Sequence, residues 1–195
     1  EAELIGMSFS YRKGLAYYVP IPENREEALA VLEIFKPFFE SEEILKIAHN
    51  FKFDYKILAQ YNVEIRGTLF DTMIAHYLLN PDGRHGMDYL SEIYLKYQPI
   101  SIESLIGKKG KKQKTLREVS LETQTDYAAE DADVTFQLYE VFSPRLKKEN
   151  LEELFHKVEM PLMKILAKME LAGISLDTDW LSRESVDLEN DLREL

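Results

Sequence analysis

The feature that most constrains this chain is a change of hydrophobic period within its first sixty residues. Leu4–Ser10 (LIGMSFS) and Leu15–Val19 (LAYYV) read as two strands, with Arg12-Lys13-Gly14 between them as the turn. Pro20 and Pro22 end the second strand. From Glu26 to Phe39 the period lengthens, and Ala28, Leu29, Leu32, Phe35 and Phe39 recur at helical spacing. Ile44–Ala48 (ILKIA) returns to a short apolar strand, and Phe53, Ile57, Leu58 and Tyr61 follow as a second helix. Strand, strand, helix, strand, helix predicts an α/β domain, because one-faced helices of this kind need a sheet to cover.

The remainder reads as helical. Asp71-Thr72 opens a helix through Met73–Leu79, with Asp71 as its cap. Asn80–Gly86 is a polar loop, and Met87–Lys96 is helical again. Ser120–Lys148 reads as a long helix broken near Pro144, and Leu151–Leu171 as another with Pro161 as a kink or break. Gly173 is a helix stop, Ile174–Asp177 an extended piece, and Thr178–Leu195 a polar helix. The last forty-odd residues look too polar and extended for the same core. The expected division is therefore a domain over 1–150 and the beginning of another over 151–195.

Composition removes several function classes. Among the 195 residues there is no Cys, which excludes disulfide scaffolds, thiol catalysis and Cys-ligated zinc. The four His (His49, His76, His85 and His156) form no H-x-x-x-H pair, so a zincin is excluded. No apolar run approaches the roughly 20 residues of a membrane span, and the simplest compartment is the cytoplasm. A net charge of −11 argues against a protein that coats duplex DNA. It leaves room for an enzyme that draws one strand end into a carboxylate–metal site. The one basic stretch is Gly107–Lys114, with five Lys and no acidic residue. It reads as a solvated loop, with weak phosphate contact as the other reading.

Two segments could carry chemistry. Asp54, in His49-Asn50-Phe51-Lys52-Phe53-Asp54, follows a buried strand and opens a helix. That is where open α/β sheets place ligands. In Tyr127-Ala128-Ala129-Glu130-Asp131-Ala132-Asp133, Tyr127 and Asp131 lie four apart on one helix face. A phenol there can stand beside a carboxylate-bound metal. Glu130 and Asp133 lie off that face and read as solvated or structural.

Taken in order, these segments with Phe70-Asp71-Thr72-Met73 and Gly83-Arg84-His85-Gly86-Met87-Asp88 resemble the proofreading 3′–5′ exonuclease domain of bacterial family A DNA polymerases (the DNA polymerase I family), a Tyr-type member of the DEDD exonuclease group. The resemblance runs from about Leu4 to the C-terminus. Its tail, Glu159-Met160-Pro161-Leu162 through Gly173-Ile174-Ser175-Leu176-Asp177, looks like the approach to the polymerase domain at the base of the thumb.

The resemblance implies a ribonuclease H-like mixed sheet flanked by helices, with four carboxylates holding two divalent ions, Mg²⁺ with Mn²⁺ or Zn²⁺ as substitutes. Asp54 and Asp131 would be metal ligands, and Tyr127 would hydrogen-bond the attacking water. His49, Asn50, Phe53 and Arg84 would contact the terminal nucleotides, although the family often has Gln and Tyr where this chain has His49 and Phe53. The implied partners are a single-stranded DNA 3′ end and the polymerase domain of the same parent chain.

The family's first motif, D-x-E, lies on a first strand, and none occurs ahead of Asp54. The expectation is a sheet lacking its first strand and a 195-residue piece with little or no activity of its own. Two other functions fit less well. A dead scaffold supporting the polymerase would not need Asp54, Tyr127 and Asp131. A stand-alone RNA exonuclease of the same group would not need the segment after Glu159.

Overall fold

The computed structural model describes residues 3–108, 110 and 113–194. Lys109, Lys111 and Lys112 of the basic loop lie outside the described residues. Strand β1 (Gly6–Arg12) pairs antiparallel with β2 (Leu15–Pro20), from Gly6 opposite Pro20 to Ser10 opposite Ala16. Gly14 takes the positive φ, 74°, that this tight turn requires.

The hairpin is covered on both faces. On one, Phe9 stacks on Phe35 at 5.3 Å and meets Phe38 edge-on at 5.5 Å. Those rings belong to α1 (Arg25–Glu40), whose N-terminus Asn24 caps by accepting from the Glu26 and Glu27 amides. On the other face the Tyr18 ring lies across Gly6, and its hydroxyl donates to Gln124 Oε1 at 2.9 Å. A Cβ on Gly6 would stand 2.2 Å from that phenol. Gly6→Ala therefore swings Tyr18 off Gln124, and we expect a loss of about 1–2 kcal/mol, read as a lower urea midpoint at unchanged slope.

A second, parallel pair follows. β3 (Lys46–Ala48) leads through α2 (Phe51–Gln60) to β4 (Leu69–Asp71), with Ile47 opposite Phe70 and Ala48 opposite Asp71. The two strand pairs are not hydrogen-bonded to each other among the described residues. The mixed sheet thus consists of an antiparallel and a parallel ribbon.

From β4 the chain enters α3 (Thr72–Leu79), then α4 (Met87–Leu90) with a wide π turn over Ser91–Leu95, then the short α5 (Ile102–Ile106). Helix α6 (Leu121–Lys148) packs on the hairpin, on α3 and on β3. The break expected at Pro144 does not occur. Pro144 removes one amide, and the carbonyl it frees belongs to Glu140, an exposed residue, so the helix continues through the proline.

After α7 (Glu152–Leu154) and a π turn at Phe155–Glu159 comes α8 (Met160–Ala172). The wide turn and first-turn position absorb Pro161. Gly173, at φ 70°, ends α8, and α9 (Thr178–Glu194) buries none of its described side chains.

The expectation that everything past residue 150 stays out of the core needs correction over 151–172. Phe155 is fully buried, with its ring 4.7 Å from Phe70, and Met160 and Met163 join the same cluster. The apolar period of that helix faces the core through the π turn, which a straight 3.6 count obscures. Within 178–194 the expectation of a polar, uncovered helix agrees with the structure. Among the described residues no helix is long and apolar enough to cross a membrane.

Candidate active site

The parallel strands β3 and β4 end side by side, and each turns directly into a helix. Asp71 sits at that corner, 1 % exposed. Its Oδ1 accepts from the Met73 and Ile74 amides at 2.8 and 3.3 Å, which caps α3 as expected. The same carboxylate also accepts from the Asn50 amide at 3.2 Å and the Phe51 amide at 2.7 Å, so it caps α2 as well. Asn50 reaches this arrangement through a left-handed backbone, φ 63°. Thr72 adds a second tie. Its hydroxyl donates to the Ala48 carbonyl at 3.2 Å and hydrogen-bonds His49 Nδ1 at 2.9 Å.

Asp54 follows in the first turn of α2. Burial pushes its carboxyl up to about 7, and the negative charge of Asp71 adds to the rise. His49 goes the other way. Burial lowers it to about 4, with His76 and His85 adding to the fall, so the ring is neutral, and its buried Nε2 has no hydrogen-bond partner. Phe53 is half exposed on the same turn.

Asp131 stands on α6. Burial raises its carboxyl to about 7, Glu130 and Asp88 raise it further, and the adjacent Tyr127 phenol holds it back. Tyr127 is itself pushed well above the ordinary phenol range by burial and by Asp131, so it keeps its proton and can donate it. Neither Asp54 nor Asp131 has a Lys or Arg partner among the described residues.

The structure brings Tyr127 to Asp131, and His49 and Asn50 to the Asp71 corner. Arg84 lies in the exposed Gly83–Gly86 loop next to His85. Glu130 is structural, accepting from the Tyr97 hydroxyl and from the Ile100 amide at 2.6 Å. Asp133 is likewise structural, accepting from the Gly14 amide at 2.7 Å. Two features escaped sequence reasoning. Asp88 adds negative charge beside Tyr127, a placement that its segment, Gly83–Asp88, did not reveal. The second cap made by Asp71 depends on a strand pairing that no local pattern reveals.

Charged oxygen donors without cation partners fit a divalent ion in kind. In number they fall short, because among the described residues no three His, Asp or Glu gather closely enough to hold one ion. The chain's D-x-E string, Asp187-Leu188-Glu189, does not help. It lies on the exposed α9, where Glu189 faces Arg193 at 3.6 Å.

Comparison with known proteins bears on this arrangement. The profile of a 3′–5′ exonuclease family matches residues 1–147. DNA polymerase I of Borreliella burgdorferi is 38% identical over 183 residues, covering 92% of this chain and 20% of that protein. The chain thus spans about a fifth of the length of such relatives. Among solved structures, the POL domain of Pol1 from M. smegmatis, in complex with DNA primer-template and dNTP, superposes with a TM-score of 0.71 at 23% identity. That match covers 93% of this chain and 28% of the other. Brucella melitensis NrnC with bound Mg²⁺ gives 0.68 at 22% identity, covering 88% and 78%. The fold these share is the α/β, ribonuclease H-like one, here with its sheet in two ribbons. With three quarters of its length matching one family and most of it aligned to bacterial polymerases, the chain belongs to the 3′–5′ exonuclease family of DNA polymerase I.

Proposed function

We propose that this chain is the proofreading part of a bacterial DNA polymerase, hydrolysing the 3′-terminal phosphodiester of single-stranded or mispaired DNA. The observation that carries the reading is the pair of cation-free, burial-raised carboxylates, Asp54 at a strand-end corner and Asp131 beside a phenol that must stay protonated. Asp54 and Asp131 would supply two of the ligands to a pair of divalent ions, Mg²⁺ with Mn²⁺ or Zn²⁺ as substitutes. Such ions, once bound, supply Lewis acidity at the scissile phosphate and neutralise the charge that makes these carboxylates costly to ionise. Tyr127 donates to the attacking water's oxygen and fixes its direction, and it cannot serve as a base. His49, Asn50, Phe53 and Arg84 would be the contacts to the terminal nucleotide.

A frayed, mispaired end reaches such a site more readily than a paired one, which is the basis of selection. The partner in the same polypeptide is the polymerase domain, and the compartment is the bacterial cytoplasm. These 195 residues supply Asp54 and Asp131 without a D-x-E ahead of them, so assayed alone they should release no nucleotide. In the full-length polymerase, Tyr127→Phe should slow release of deoxynucleoside monophosphates from a labelled single strand about 10- to 100-fold, the effect of one hydrogen bond to a charged group. Polymerisation should be unchanged. Nucleotide release by the isolated chain would overturn the first expectation, and an unaffected Tyr127→Phe rate would overturn the second.

A further inference from the structure

Two of the four histidines, His76 and His85, meet beside the loop that carries Arg84. His76, on α3, is fully buried. Its Nε2 hydrogen-bonds the Tyr94 hydroxyl at 3.1 Å, and its Nδ1 hydrogen-bonds His85 Nδ1 at 2.8 Å. His85 follows Arg84 directly. The loop also rests on His76 at a second point. A Cβ on Gly83 would lie 3.1 Å from His76 Cε1 and 2.9 Å from Asn80 Nδ2, so a side chain there would push the loop off the ring. On its outer side the His85 ring packs edge-on against Tyr77 at 5.6 Å.

We infer that His76 and His85 are positioning residues, a pair of imidazoles that pins the Gly83–Gly86 loop to α3 and thereby fixes Arg84 toward the terminal nucleotide. The inference rests on the exonuclease reading of Arg84 and adds to it the device that holds that residue.

The chemistry of the pair sets its behaviour. A bond between two Nδ1 atoms needs one donor and one acceptor. A neutral pair satisfies this, and so does a pair sharing one extra proton. Two imidazolium rings cannot, because both Nδ1 atoms then carry hydrogen. The groups around the pair favour the neutral form of His76. Arg145 of α6 lies over the Tyr94 ring at 4.7 Å, His49 stands near from the end of β3, and Phe142 covers the His76 ring at 5.5 Å. Burial, His85 and Arg145 in that order hold His76 below the ordinary imidazole range.

The test compares three variants in the full-length polymerase, assayed for hydrolysis of a single-stranded oligonucleotide. Arg84→Ala reports whether Arg84 contacts substrate, and its KM should rise. His85→Leu keeps packing on Tyr77 but removes the nitrogen. Its KM should rise about five- to tenfold with kcat nearly unchanged, the effect of one lost neutral hydrogen bond. His85→Asn places an amide atom where Nδ1 stood. It should keep the wild-type KM, because an amide can still bond His76 Nδ1.

A raised KM in Arg84→Ala with a wild-type KM in His85→Leu would overturn the pin while leaving the exonuclease reading intact. A wild-type KM in Arg84→Ala would overturn both the Arg84 contact and the pin. A KM in His85→Asn as high as in His85→Leu would show that the hydrogen bond to His76 is not what holds the loop, and would overturn the pin.

Discussion

Asp54→Asn and Asp131→Asn are expected to raise the stability of the metal-free protein at neutral pH while removing exonuclease activity. Both carboxyls are held near 7 from an ordinary value of 3.8, chiefly by burial. A carboxyl whose folded value is raised favours the folded state while it is protonated. That contribution is fully present below about pH 4 and is lost as pH rises through about 7. Above that range each ionised group works against the fold, by at most about 4 kcal/mol, because a tenfold change in acidity corresponds to about 1.4 kcal/mol.

An amide carries no charge to desolvate. Each Asn variant should therefore melt higher than wild type at about pH 8, by up to roughly 10 °C for a chain of this size, and the gap should narrow as pH falls and close toward about pH 4. Differential scanning calorimetry across that range decides the matter. A wild-type melting temperature flat between about pH 5 and pH 8 would show that the two carboxyls titrate normally. A site that destabilises its own empty form in this way is poised to gain stability on binding cations, and the Asn variants should lose most of that gain with Mg²⁺.

The second large effect is expected at Asp71. Asp71→Ala leaves four amide groups, those of Asn50, Phe51, Met73 and Ile74, without their acceptor at a corner only 1 % exposed. Losing both caps at once should cost about 3–5 kcal/mol, read as a lower urea midpoint. Asp71→Asn keeps one acceptor oxygen and presents an NH₂ group to the other amides, so it should fall between the two. A loss under about 1 kcal/mol in Asp71→Ala would mean that water or a backbone shift replaces the carboxylate. Because α2 starts on Asp71 and carries Asp54 in its first turn, the damage should extend to metal binding. Asp71 is thus a structural residue on which the candidate site depends.

Much of this was legible in the sequence because it is local. Gly14 marked the hairpin turn, Gly173 stopped α8, and Asp71 preceded the helix it caps. The Tyr127–Asp131 face needed only the helical period of α6. What escaped notice was tertiary. Leu69–Asp71 is too short to show a strand period, and it is a strand only because Lys46–Ala48 lies beside it. The second cap on α2 exists only through that pairing. The π turn at Phe155–Glu159 shifts the helical count by one residue, which hid the burial of Phe155, Met160 and Met163. The His76–His85 contact joins a buried helix to a polar loop, and hydrophobic spacing carries no signal for it.

The packing of α8 also decides where the chain can be severed. Phe155 fills the space against Phe70, while Lys52 and Lys56 of α2 both reach Glu170 near the end of α8, at 2.5 and 2.6 Å. A protease needs an extended, accessible backbone, and α8 offers none. Beyond Gly173 the chain is extended, and Ile174 is 86% exposed. Limited digestion there would release α9 and leave Asp54, Tyr127 and Asp131 in one piece. Scission near residue 150 would instead strip Phe155 from Phe70 and open the interior behind β4.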